Sequence, residues 1–93
     1  MDVKNKNDGR RGVFYIESEG KEIALMHYIL SGTDRMIIDH TEVNEIYEGK
    51  GLGMQLVKAG VAYARENNIK IQPLCPFAKK IFDRTPAYAD VLF

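Results

Sequence analysis

Three short segments hold residues able to do chemistry: His40-Thr41 in IIDHTEV, the run EGKGLGM from Glu48 to Met54, and Cys75 in PLCPFAKK. A histidine titrates near neutral pH, so His40 is a candidate to take a proton from a nucleophile, with Glu42 and Glu45 as weaker candidates. Cys75 offers a different route, since a thiolate attacks carbonyl carbon. Pro76 follows it directly and suits the first position of a helix, whose N-terminal end favours an anion. Gly49, Gly51 and Gly53 fall within five positions. Glycine in regular structure costs about 0.5–1 kcal/mol relative to alanine, so this density calls for a compensating role. One such role is close approach of the backbone to a phosphate, because the first N–H groups of a helix have no internal partner. Lys50 adds a positive side chain between the glycines.

The elements that must position these residues follow from apolar periodicity. GVFYIESEG and KEIALMHYIL are rich in aromatic and β-branched residues and meet at Glu19-Gly20, which predicts an antiparallel hairpin. RMIIDHTEV adds a third strand and completes a meander. On this strand His40 shares parity with Met36 and Ile38, so a hydrogen-bonded core histidine competes with the catalytic reading. From Leu52 the period changes to that of a helix with a wide buried face, ending near ENN. IKIQPL reads as a fourth strand, and FAKKIFD and PAYADVLF as two short helical pieces parted at Pro86. The order β-β-β-α-β-α predicts an α+β domain with a helix on a mostly antiparallel sheet. Residues 1–11 read as a flexible lead-in and 12–93 as the domain.

Composition narrows the function. The chain has 93 residues and 45% hydrophobic content, enough for one domain and one core. Thirteen basic and thirteen acidic residues cancel, which argues against a nucleic-acid partner. No apolar run approaches the roughly 20 residues of a membrane span, and no secretory signal is visible. A single cysteine cannot pair within the chain, so a cytoplasmic setting is expected. His27, His40 and Cys75 are widely separated, and no metal site is expected. A lone cysteine at the end of a strand is also a small buried hydrophobe, and that reading stays open beside the nucleophilic one.

The loop fits neither a Walker motif nor a dinucleotide fingerprint, for which Met54 stands where a glycine is needed. It does fill an R/Q-x-x-G-x-G/A pattern that follows a meander and opens a helix. In this the chain resembles the GCN5-related N-acetyltransferases, and within them the short group with a histidine-threonine pair before the glycine loop and a cysteine after the next strand. The resemblance implies a minimal acetyltransferase fold that binds acetyl-coenzyme A and moves acetyl to an amine or protein acceptor. It implies backbone contacts to the pyrophosphate from Gly49, Lys50, Gly51, Leu52, Gly53 and Met54. The pantetheine arm would lie along Thr41, Glu42 and Val43, with His40 or Cys75 in the chemistry. Phe77 and Tyr88 are candidates to line an acceptor cleft. Glu48 departs from the pattern, because a carboxylate replaces the usual arginine or glutamine and would repel a pyrophosphate. That departure motivates the alternative of a non-catalytic module that binds coenzyme A or another protein. Oligomeric state and acceptor identity are not legible.

Overall fold

The computed structural model describes residues 2–93. Its strands are β1 (Lys4–Asn7), β2 (Arg11–Ser18), β3 (Lys21–Ser31), β4 (Arg35–Val43) and β5 (Lys70–Pro73), and its helices α1 (Leu52–Asn67) and α2 (Pro76–Arg84). Single 3₁₀ segments lie at Glu45–Tyr47 and Pro86–Val91. The five strands form one sheet in chain order, antiparallel except for the β4–β5 pair. This is the expected α+β architecture.

Local chemistry explains each joint. Glu19 and Gly20 take φ of 52° and 78°, so they form a two-residue turn whose twist matches the hairpin. Helix α1 ends at Asn68 in the left-handed region, with its N–H on the Ala64 carbonyl. Pro76 starts α2. Across the sheet, Phe14, Ile16, Met26, Tyr28, Met36, Ile38 and Ile71 are buried on one face, under Leu56, Val57, Val61 and Ala64 of α1. Helix α2 packs on the same side, with Ala78, Ile81 and Phe82 in the same core. Among the described residues, the other face of the sheet carries no helix.

Two expectations are corrected. The flexible lead-in of residues 1–11 instead contributes β1, which pairs with β2 from Lys4↔Tyr15 to Asn7↔Gly12. The strand is polar and exposed throughout, so it carries no apolar alternation to announce itself. Its anchor is Tyr28, fully buried, whose hydroxyl donates to Asn5 Oδ1 at 2.7 Å and accepts from Asn7 Nδ2 at 3.1 Å. The second correction concerns strand parity in β4. His27 pairs with His40 but Tyr28 with Ile38, which leaves Asp39 as an extra residue in a β-bulge. One added residue inverts the faces, so Thr41 and Val43 turn toward the helices while His40 turns away from Met36 and Ile38.

Removing the Tyr28 hydroxyl tests the β1 anchor. Tyr28→Phe is expected to cost about 1 kcal/mol in urea unfolding, the net value of such hydrogen bonds. Burial raises the Tyr28 pKa above its ordinary value, with the Asn7 hydrogen bond opposing. The folded state therefore holds this proton longer than the unfolded chain, and stability falls as pH rises above about 10. In Tyr28→Phe that alkaline loss should shrink.

Candidate functional site

The site begins where β4 and β5 part. Their pairing covers Arg35↔Lys70 to Ile38↔Pro73, after which the N–H groups of Leu74 and Cys75 both donate to the Ile38 carbonyl at 3.0 Å. Cys75 then caps α2, and β4 continues with β3 alone beside it. Asn44 N–H bonds the Ile23 carbonyl at 2.8 Å. By ladder alternation, Val43 and Thr41 direct their backbone groups away from β3 and into the gap that β5 has left.

A cavity of about 360 Å³ occupies the helix side of this gap, walled by Thr41 and Val43, by Tyr47, Glu48, Gly49 and Gly51 of the loop, by Leu52, Gly53 and Met54 at the start of α1, and by Phe77. Asn44 starts the loop by accepting the Ile46 N–H on its side chain at 3.0 Å. Gly49 and Gly51 then take φ of 78° and 76°. A Cβ on either would meet nothing within 4 Å, so what they supply is backbone conformation rather than room. Gly51 is the N-cap of α1 and offers no side-chain cap, so the first N–H groups of this helix have no side-chain acceptor at the cap. Gly53 has the opposite reason: a Cβ there would lie 2.2 Å from the Phe77 ring.

The cavity brings together Thr41, Val43, Gly49, Gly51, Leu52, Gly53 and Met54. It also includes Tyr47, which the sequence reading missed, since one aromatic before a glycine loop carries no distinguishing pattern. Cys75 sits just behind the wall, 6% exposed, with Sγ 3.4 Å from Thr41 Oγ1. Lys50 is exposed outside the cavity wall. Glu42 and Glu45 border a second, polar groove with Glu22 and Glu48, next to the first. His40 lies on the helix-free face, with Nε2 3.1 Å from Glu42 Oε1. The core-histidine alternative for it is excluded by its 57% exposed side chain. His27 stands directly opposite on the same face, 3.7 Å from Asp39. Phe77 walls the cavity, whereas Tyr88 packs on Phe82 with ring centroids 5.8 Å apart.

A meander, a glycine joint opening the central helix, and a parallel strand that splays beside it define an acyltransferase-type α+β fold. Residues 13–91 match the family model described as GCN5-related N-acetyl-transferase, and the chain belongs to that family. It is similar to a GCN5-like protein of Staphylococcus aureus solved in solution, at 35% identity and TM-score 0.76, covering 99% of this chain and 87% of that one. Protein NATD1 of Homo sapiens is 27% identical over 85 residues, which are 90% of this chain and 75% of that protein. A GNAT family acetyltransferase of Elizabethkingia anophelis, solved with acetyl-CoA bound, shares the fold at TM-score 0.65 and 14% identity, over 81% of this chain and 52% of that one.

Proposed function

We propose that this protein binds acetyl-coenzyme A and transfers the acetyl group to an amine acceptor. The observation that carries this reading is one continuous cavity joining the uncapped start of α1 to the strand backbone at Thr41 and Val43. The residues present fit such a ligand. Left-handed glycines present the N–H groups of the first helical turn, favourable for a diphosphate, and the apolar wall of Val43, Leu52, Met54 and Phe77 suits a flexible arm. The acetyl-CoA held by the Elizabethkingia protein on the same fold supports the assignment. When bound, the thioester supplies an activated acyl group. The chain's own part is to orient it along β4, and to take the proton that an attacking amine must lose. An ordinary lysine amine, with pKa about 10.4, is almost entirely protonated at pH 7, so a base is required. His40, paired with Glu42 and reachable from the helix-free face, is assigned that role. Cys75, buried against Thr41, backs the cavity wall from behind.

The binding step is tested by melting the protein with acetyl-coenzyme A, coenzyme A and ATP. At a hundred times its dissociation constant a ligand stabilises by about 2.7 kcal/mol, a shift of about 10 °C or more for a chain of this size. An ATP response equal to that of acetyl-coenzyme A would remove the assignment. His40→Ala is expected to lower acceptor-dependent thiol release about a hundredfold while leaving that melting shift unchanged. Unchanged turnover would transfer the proton to another group.

Glu48 favours the second reading, a non-catalytic coenzyme-binding module, because its exposed carboxylate stands at the cavity rim where a pyrophosphate would come. Glu48→Arg is expected to tighten coenzyme A binding about tenfold by calorimetry, a gain of about 1.4 kcal/mol and within the reach of one screened charge reversal. An affinity that stays the same would place the diphosphate away from Glu48.

A further inference from the structure

Met26 and Met36 are fully buried in the core, as methionine commonly is. Met54 is 60% exposed and stands on the cavity wall with Phe77. Among the described residues it is the one methionine open to solvent. The other sulfur, that of Cys75, lies behind the wall in a residue 6% exposed, 3.4 Å from Thr41 Oγ1. Met54 also holds a particular place on α1: Gly51 is the N-cap, so Met54 is the third residue of the helix. A glutamate or glutamine at this position closes a helix start by reaching back to the N–H of the cap residue. Side chains on a helix lean toward its N-terminus, which makes that return possible. A thioether is too weak an acceptor to do the same. Among the described residues no backbone carbonyl accepts the Gly51 N–H, and Gly51 has no side chain of its own to cap the helix. The start of α1 therefore stays open toward the cavity.

We propose that Met54 is an oxidative modification site, at which a hydroperoxide makes the sulfoxide and the new oxygen caps α1 in place of a ligand. The sulfur lone pair attacks a peroxide oxygen, and an S–O bond forms as the O–O bond breaks. The hydroxyl proton passes to the leaving oxygen, which departs as water. Sulfur is oxidised and the peroxide reduced by the same electron pair. The sulfoxide oxygen sits on the atom that corresponds to Cδ of glutamine, so it presents an acceptor at the reach of a capping glutamine. Two changes follow for a ligand that carries a diphosphate. The Gly51 N–H is taken by the protein's own oxygen, and an apolar part of the wall becomes polar. Both weaken binding. A sulfoxide reductase restores the thioether, so the cavity opens and closes with the peroxide level and without any reaction at Cys75.

The intact chain, treated with dilute hydrogen peroxide and then digested for mass spectrometry, shows the order of oxidation. Met54 is expected to gain an oxygen before Met26, Met36 or Cys75. Calorimetry should then show coenzyme A bound about tenfold more weakly than before treatment, with recovery after incubation with a sulfoxide reductase. Met54→Leu, compared with itself before and after peroxide, should lose no affinity. Met54→Gln places the acceptor there permanently. Without any ligand it is expected to melt about 3 °C or more above the wild type, as an added helix cap does. Without any peroxide it should bind coenzyme A about tenfold more weakly than the wild type. The unliganded melt tests the cap whether or not coenzyme A binds, whereas the affinity measurements rest on the binding function proposed above. Untreated wild type that ignored coenzyme A would remove that function, and the regulation by peroxide with it. Three further results overturn the proposal: peroxide that reaches Cys75 or a core methionine first, an oxidised protein that binds as tightly as before, or a Met54→Gln variant with unchanged melting temperature.

Discussion

Gly12→Ala is expected to lower the unfolding free energy by about 1–3 kcal/mol, the cost of forcing extra volume into a packed core. The added Cβ would lie 2.3 Å from Cζ and 2.4 Å from the hydroxyl of Tyr28, and 2.7 Å from Cβ of Asn7. Tyr28 cannot withdraw. It is fully buried, stacks against Phe14 with centroids 5.1 Å apart, and has its hydroxyl held from β1 by Asn5 and Asn7. The strand would have to lift instead, so amide protons of β1 should lose exchange protection before the rest of the sheet. Gly60→Ala is the internal control. Its Cβ meets Met26 Cε at 3.0 Å, the end of a flexible side chain, and helix propensity favours alanine by about 1 kcal/mol. Urea titrations should show Gly60→Ala near wild-type stability and Gly12→Ala well below it. Equal midpoints for the two variants would refute the account of the β1–Tyr28 contact.

Gly53→Val is expected to weaken coenzyme A binding by about a hundredfold or more, roughly 2.7 kcal/mol, with a smaller change in stability. Phe77 lies across Gly53 with ring atoms 2.2 and 2.5 Å from where a Cβ would be. The ring is 41% exposed, so it can swing away at little cost to the core. The cavity wall it forms is lost in doing so, and the branched side chain intrudes on the first turn of α1. Shortening Phe77 relieves the collision without restoring the wall. Calorimetry on Gly53→Val, Phe77→Ala and the double variant should therefore show strong non-additivity, the double losing little more than Gly53→Val alone. Fully additive losses would mean that ring and glycine act on the ligand separately.

Much of the fold is written in local pattern. The hairpin at Glu19-Gly20, the strand Arg35–Val43 and the helix from Leu52 follow from turn chemistry and period, and the structure places them at those residues. The glycine loop was legible for the same reason, since Gly49 and Gly51 need backbone angles that other residues take only at a cost. Two features lay beyond reach because they depend on partners distant in sequence. Strand β1 is specified by Tyr28, which its own polar residues do not reveal. The Asp39 bulge exists only in the register between β3 and β4, yet it decides which of His40 and Thr41 faces the cavity. Period-two alternation carried past that residue sends His40 into the core. Thr41 and Cys75, 34 positions apart, meet because β5 returns parallel to β4, which no spacing rule anticipates.

The polar strand at the start of the chain also bears on behaviour in a crowded solution. A sheet border with unsatisfied amides recruits other chains, and β2 carries Val13, Phe14 and Tyr15 along the border that β1 covers. At the opposite border the last residues lie over β5, where Leu92 bridges to Ile71 and Phe93 N–H bonds the Ile71 carbonyl at 2.8 Å. The apolar strands thus lie inside the sheet, behind polar β1 on one side and residues 92–93 on the other. Trimming either terminus would expose a sticky flank, and turbidity during refolding would reveal it before any assay of folded protein did.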